Sequence, residues 1–387
     1  MKFSTKAIHI GQEADSTTGA TIVPIYQTST YTQEDIGKHK GYEYTRTGNP
    51  TRTALEECLA SLEEGRFGLA FASGLAATTA VLSILKQGDN VVASDDLYGG
   101  TYRLFEKIYK NYAITFTYVD ATDINQVKSA INQNTKLIWL ETPTNPLLKI
   151  YDIKEIATIA KHNGILLAVD NTFATPYFQQ PLTLGADIVV HSTTKYIGGH
   201  SDVIGGAVIL NDENVYEKIK FYQNAAGAVT SPFDSWLTLR GLKTLSLRMK
   251  QHEKNARLIA SALSEHPQVE DTYYPGLTSH PQFDLATTQM KGYGGMITIK
   301  VKGGYKEANN FIKNLKIFSL AESLGGVESL VCHPTAMTHA SIPKEEREKR
   351  GITDNLVRLS VGIEDLEDLL TDLDNALNQN NKLVTTN

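Results

Sequence analysis

Cysteine is almost absent from this chain of 387 residues: Cys58 and Cys332 are its only two, far apart and outside any CxxC pattern. Such a pair signals neither a disulfide framework nor a thiolate zinc site, and both are expected to pack as small apolar side chains. A surplus of positive charge is missing too. With 37 Lys and Arg against 43 Asp and Glu the formal charge is −6, so neither nucleic acid nor an anionic membrane surface is an expected partner. No window approaches the roughly 18 uninterrupted apolar residues of a membrane span. The stretch MKFSTKAIHIGQEAD has no apolar targeting region, which makes the cytoplasm the default expectation. His333 and His339 have no cysteine or carboxylate at ligand spacing, so they read as structural or substrate-side histidines and no metal is expected. Internal repeats are also lacking.

What the chain does contain is 41% hydrophobic residues, enough for a sizeable core spread over two domains. From about residue 65 to 210, short apolar runs such as NVVASD, KLIWLETP, ILLAVDNT and ADIVVHST alternate with amphipathic segments such as TYRLFEKIYKNY and IKEIATIAKHNG. That rhythm predicts an α/β fold with a mostly parallel sheet and helices on both faces. Ahead of it, NPTRTALEECLASLEEG predicts a helix capped by Asn49, with Pro50 in its first turn and Gly65 at its end. Residues 1–48 are polar and weakly periodic, an arm that packs on something else. The pattern changes near residue 245 to a long helix, MKQHEKNARLIASALSEH, then the strands GGMITIKVK and VRLSVG and further helices. Residues 245–387 therefore read as a smaller α+β domain following the 49–244 domain, with NQNNKLVTTN expected to fray.

Three strand ends carry candidate chemistry. In FASGLAATTAV a strand runs into a helix at Ser-Gly, which leaves backbone N–H groups for an anion, and Gly74 allows close approach; an ordinary strand-to-helix turn would look the same. In ILLAVDNTF, Asp170 stands at the carboxyl end of an apolar strand, the edge where open α/β sheets bind ligands. It could pair with a protonated ring nitrogen of a cofactor, or equally cap a helix or pair with an arginine. In HSTTKYIGGHSD, Lys195 follows a core strand. It is either a surface lysine or one whose pKa burial lowers toward Schiff-base use. Ser192 and Thr194, two apart on an extended segment, would face one way toward the anion at Gly74. Tyr98, in DDLYGGTYR, precedes a helix on the same edge and could stack on a ring. A phosphate, a pyridinium nitrogen and an aldehyde for lysine together describe pyridoxal 5'-phosphate.

The stretches GYEYTRTGNPTR, FASGLAAT, DDLYGGTYR, ETPTNPL, VDNTFATPYFQQPLTLGADIVVHSTTKYIGGHSD, LAESLGGVESL, MTHASIP and GITDNLVRLSVGIEDLEDLL resemble the trans-sulfuration family of pyridoxal-phosphate enzymes over nearly the whole chain. The resemblance implies the aminotransferase-like fold (fold type I) and small amino-acid substrates. It implies Lys195 as the Schiff-base lysine and proton carrier, Asp170 on the pyridine nitrogen, and Tyr98 stacked on the ring. Ser192, Thr194 and the backbone of Gly74 and Leu75 would hold the phosphate. Tyr44 and Arg46 of the arm would complete the phosphate cradle of a neighbouring subunit in a homo-oligomer with shared sites, a dimer of dimers. Arg358, assisted by Asn145 and Ser323, would clamp the substrate α-carboxylate.

The family includes cystathionine γ-synthase, γ-lyase and β-lyase and methionine γ-lyase, which expel a substituent and then either add a thiol or release a keto acid. Methionine γ-lyases carry cysteine at the position of Gly100, which argues against that activity here. Glu322, and Glu43 beside Tyr44, offer carboxylates to the distal ammonium of cystathionine or cysteine, where β-lyases tend to carry a tyrosine or an apolar residue. The longer Glu at 322 leans toward γ-lyase over γ-synthase. A non-catalytic cofactor-binding regulator is the reading from another class; it would bind cofactor and release neither keto acid nor thioether.

Overall fold

Asn49 begins the first long helix as its side chain predicts. Its Oδ1 accepts the N–H groups of Thr51 (3.0 Å) and Arg52 (3.4 Å), and Pro50 occupies the first turn of a helix Pro50–Leu62. The chain leaves this helix through Glu64 in the left-handed region at φ 58°, one residue ahead of the expected stop at Gly65. The computed structural model describes residues 1–340 and 343–384.

A seven-stranded sheet follows, built from β1 (Phe67–Phe71), β2 (Asn90–Ser94), β3 (Thr115–Val119), β4 (Thr135–Glu141), β5 (Leu166–Asp170), β6 (Ile188–His191) and β7 (Gly206–Leu210). Their order is β1-β7-β6-β5-β4-β2-β3, with β7 alone antiparallel to its neighbours. Alternate residues enter opposite cores: Ala168, Ile188 and Val190 on one face, Leu167, Val169 and Val189 on the other. Strand β7 has no counterpart in the sequence reading, because the segment between β6 and β7 is a series of turns and the βαβ template looks for a helix there.

A second sheet contains β8 (Val269–Tyr273), β9 (Met296–Val301), β10 (Ser319–Leu320), β11 (Leu330–Cys332) and β12 (Leu356–Ser360), in the order β10-β11-β12-β9-β8. Strands β9 and β12 coincide with the predicted runs; β8, β10 and β11 are too short or too charged to show periodicity. The helix Leu245–Glu265 joins the two halves. Leu245 and Met249 lie in the core beneath the first sheet, whereas Ala256, Ile259, Ala260 and Leu263 lie in the core of the second. At its middle, His252 Nδ1 meets the Val361 carbonyl at 2.7 Å and Asn255 Nδ2 donates to Gly362 O (3.1 Å) and Glu364 O (2.9 Å).

The polar N-terminal segment divides in two. Its helix Phe3–His9 packs one face on its own chain, with Ala7 buried and the Phe3 ring edge-on to Tyr177 at 5.2 Å, while Ser4, Thr5, Ile8 and His9 are exposed. Residues 13–48 are largely exposed and irregular. At the other end the helix Leu366–Val384 continues through the polar stretch expected to fray; residues 385–387 lie outside the described residues, as do Ser341 and Ile342 of the MTHASIP stretch. Among the described residues no helix is long and apolar enough to cross a membrane, and Cys58 and Cys332 are buried free thiols in packed surroundings.

Candidate active site

The carboxyl ends of β4, β5 and β6 meet the start of helix Gly74–Leu82 on one side and the 321–326 segment on the other. Ser73 caps that helix, its Oγ accepting from Ala76 N at 3.1 Å, while the N–H groups of Gly74 and Leu75 have no acceptor among the described residues. A Cβ added to Gly74 would lie 2.8 Å from Ser192 Cβ, so only glycine lets the helix start and Ser192 approach this closely.

After His191 the chain turns instead of continuing extended: Gly198 N donates to Thr193 O and Gly199 N to Lys195 O, both at 2.8 Å. The expectation that Ser192 and Thr194 face one way on an extended segment is therefore incorrect. Ser192 abuts Gly74. The Thr194 hydroxyl instead holds the loop ahead of β7, donating to Gly205 O (3.2 Å) and accepting from Gly205 N (3.0 Å).

Lys195 Nζ lies 2.8 Å from Ser323 Oγ. Burial first, and then the Arg358 guanidinium, push its ammonium down to about 8, with Glu322 opposing. Ser323 sits at φ 87°, a conformation costing a non-glycine residue on the order of 1–3 kcal/mol. It is held there because its carbonyl accepts Arg358 Nη2 at 2.9 Å and Gly325, two residues on, packs against the backbone of Lys195 and Tyr196. Arg358 is 2% exposed; Nη1 donates to Asn145 Oδ1 at 2.9 Å, and its Nε has no partner among the described residues. Asn145 is fixed in turn by His339, whose Nε2 donates to the Asn145 carbonyl at 3.0 Å while its Nδ1 accepts from Thr338 Oγ1 at 2.8 Å. Burial and then Arg358 push His339 down to about 4, which keeps the imidazole neutral in this role. Glu322 is exposed at the mouth of this group.

Asp170 turns Oδ1 to the N–H (3.0 Å) and hydroxyl (2.5 Å) of Thr172 and leaves Oδ2 without a donor among the described residues. Its in-register neighbour Glu141 is a buried carboxylate absent from the sequence reading, although KLIWLE carries the same signal as ILLAVD, an apolar strand ending in an acid. Glu141 Oε2 accepts Tyr98 N at 2.8 Å and so fixes the start of helix Gly99–Lys107, which has no side-chain cap of its own. Burial, then Asp170, raise Glu141 well above the usual carboxylate range. Burial raises Asp170 as well, opposed by the Thr172 hydroxyl and amide and by His191. The Tyr98 ring folds back over Gly100, where a Cβ would lie 2.3 Å from Tyr98 Cε1.

Glu43, Tyr44 and Arg46 stand apart. All three are exposed, and no hydrogen bond among the described residues ties them to Lys195, Asp170 or Arg358. Arg46 Nη1 donates to Asn224 O at 2.8 Å, and its guanidinium lies 5.6 Å from the Tyr44 ring centroid. His333 and His339 belong to no metal cluster; among the described residues no such group of ligands occurs.

The donor set fits pyridoxal 5'-phosphate at three separate points: unpaired N–H groups at the glycine-led helix start beside Ser192, a free Asp170 oxygen, and a desolvated lysine amine.

Comparison with known proteins bears on the same point. Residues 4–378 match the family described as Cys/Met metabolism PLP-dependent enzyme. The chain is 56% identical to a cystathionine gamma-lyase of Bacillus subtilis (strain 168), covering 97% of this chain and 99% of that protein. It is 55% identical to a cystathionine beta-lyase of Lactococcus lactis subsp. cremoris (strain MG1363), over 96% and 98%. The crystal structure of a cystathionine gamma synthase from Xanthomonas oryzae pv. oryzae superposes with a TM-score of 0.97 at 44% identity, over 99% of each chain. Fold, cofactor and class of chemistry thus agree with the likeness carried by the motifs, and the chain belongs to the pyridoxal-phosphate-dependent enzymes of cysteine and methionine metabolism.

Proposed function

We propose that the chain is a cystathionine γ-lyase, converting L-cystathionine and water to L-cysteine, 2-oxobutanoate and ammonia. The observation that carries this reading is the pairing of Arg358, held at one end of the site by Asn145 and Ser323, with the Glu322 carboxylate one residue from Ser323 at the mouth. Cystathionine has an amino-acid group at each end. Arg358 takes the α-carboxylate of the reacting end, and Glu322 meets the distal ammonium, which needs an anionic partner to leave water.

When bound, pyridoxal 5'-phosphate supplies the electron sink. Gly74, Leu75 and Ser192 would hold its phosphate, Thr194 keeps the loop beside them closed, and Asp170 Oδ2 would keep the ring nitrogen protonated. Tyr98, its backbone N–H held by Glu141, would stack on the ring. Lys195, whose ammonium burial lowers to about 8, removes the Cα proton as free amine and returns a proton to the substrate carbons, and Tyr98 assists the transfer to the departing sulfur. Tyr44 and Arg46 complete the phosphate cradle of a second copy in a homo-oligomer; their exposure and separation from the Lys195 cluster support this. Two free buried thiols accord with a reducing compartment such as the cytoplasm.

γ-Synthase activity is the second reading, favoured by the same Glu322, since an incoming cysteine would occupy that end. Incubation with L-cystathionine, and separately with an O-acylhomoserine plus cysteine, decides: 2-oxobutanoate from the first supports the lyase, faster thioether formation from the second supports the synthase, and pyruvate from cystathionine refutes both. Glu322→Gln is expected to lower kcat/KM for cystathionine about 10-fold or more, the scale of a charge-assisted hydrogen bond, with a smaller change for homocysteine. An equal fall for both would remove Glu322 as reader of the distal group.

A further inference from the structure

Beneath the cofactor face lies a titratable pair that the mechanism does not use. Glu63, just past the helix Pro50–Leu62, and His191, the last residue of β6, are both fully buried. Glu63 Oε1 lies 2.5 Å from His191 Nε2 and accepts Asn171 Nδ2 at 2.8 Å. Asn171 directly follows Asp170, and His191 directly precedes Ser192. The ties extend further: Asn171 Nδ2 also donates to Gln179 O (2.8 Å), and Gln179 Nε2 donates to Asn171 Oδ1 (2.9 Å) and to Thr142 O (3.0 Å), the residue after Glu141. One carboxylate thereby anchors a network that reaches the ends of β4, β5 and β6.

Stability alone is a weak reason for burying this pair. A buried ion pair is commonly replaceable by apolar side chains without loss, because desolvation consumes most of the attraction. Here Glu63 Oε2 and His191 Nδ1 are in addition buried without partners among the described residues, which adds to the cost.

We propose that Glu63 and His191 form a positioning pair for the cofactor cradle: a single buried carboxylate oxygen fastens the residue next to Asp170 and the residue next to Ser192, and so sets the spacing between the ring-nitrogen partner and the phosphate end. It rests on the assignment of Asp170 and Ser192 to those two ends. His191 also helps hold Asp170 in its charged form against burial, which is the form a pyridinium nitrogen requires.

The test uses three full-length variants. The double variant Glu63→Leu/His191→Phe removes both groups at once and leaves no unpaired charge. Glu63→Gln keeps an acceptor for both donors, and Asp170→Asn tests the underlying assignment. For each, the dissociation constant of pyridoxal 5'-phosphate, the position of the cofactor absorption band and the Tm of the apoprotein are measured. The expected result is a double variant whose apoprotein Tm equals or exceeds that of wild type, whose cofactor dissociation constant rises about tenfold or more, and whose band is displaced, with Glu63→Gln much closer to wild type. Retention of cofactor with unchanged affinity and band in the double variant overturns the proposal. So does a loss of affinity that tracks a loss of apoprotein Tm, or failure of the double variant to fold, since either makes the pair a stability element. If Asp170→Asn retains cofactor unchanged, the assignment of the site fails instead of the pair.

Discussion

Arg358→Lys is the most direct perturbation of the substrate end. The guanidinium is held by the protein through Nη1 on Asn145 Oδ1 and Nη2 on Ser323 O, each at 2.9 Å, while Nε is without a partner among the described residues. That leaves a planar edge for a carboxylate. Lysine offers donors on a single nitrogen and cannot satisfy Asn145, Ser323 and a bidentate carboxylate together. At least one charge-assisted hydrogen bond to substrate is lost, about 1.5–3 kcal/mol, which corresponds to a fall in kcat/KM of about 10- to 150-fold. Steady-state kinetics with L-cystathionine measure the fall, and inhibition by L-serine against ethanolamine isolates its cause. Serine has the α-carboxylate and should bind the variant that much more weakly; ethanolamine lacks it and should bind wild type and variant alike. An equal loss for both ligands, or a kcat/KM within about threefold of wild type, would show that Arg358 does not hold the carboxylate and that its contacts with Asn145 and Ser323 serve only to shape the loop.

Three other outcomes are expected. Only the free amine of lysine is nucleophilic, so acylation of Lys195 in the apoprotein, followed by peptide mapping, should rise with pH through a midpoint of about 8 where ordinary lysines rise near 10.4, and Arg358→Met should move that midpoint upward; an ordinary midpoint in wild type contradicts the burial argument. Gly74→Ala brings a Cβ within 2.8 Å of Ser192 Cβ, an overpacking cost of about 1–3 kcal/mol that should weaken cofactor binding in an equilibrium titration; unchanged affinity would place the phosphate elsewhere. Mixing inactive Lys195→Ala subunits with inactive Arg46→Ala subunits should restore part of the activity, because one site of each hybrid then has both groups, and no recovery in verified hybrids would return Arg46 to its own chain.

Much of this site is legible in the sequence, but by two different routes. Gly74, Asp170 and Lys195 show themselves because each terminates or follows an apolar strand, and strand ends of a parallel sheet converge on one edge. Asn145, Glu322, Ser323 and Arg358 carry no such local mark. They are joined by the approach of the second sheet to the first, with Asn145 and Arg358 213 positions apart, and only the family resemblance reaches them. Glu63 is hidden for a similar reason: in LEEG it looks like a solvated acid at a helix end, and its partner His191 is 128 residues away. The alternation argument for Ser192 and Thr194 fails because the Gly198-Gly199 pair draws the chain into turns immediately after β6. The short helix Phe3–His9 within the arm is not legible because Phe3 and Ala7, spaced four apart, are too few to show a helical stripe.

The helix Leu245–Glu265 has a consequence for how the protein comes apart. Its 21 residues form a rod of roughly 30 Å, one half embedded beneath the first sheet and the other in the second, pinned at the middle to the residues that follow β12. Neither core can lose its structure without exposing half of that rod and the apolar surface it covers in the other. Chains of this length often melt in separate steps; here the shared helix couples the halves into one cooperative unit, so that calorimetry of the apoprotein should record a single transition.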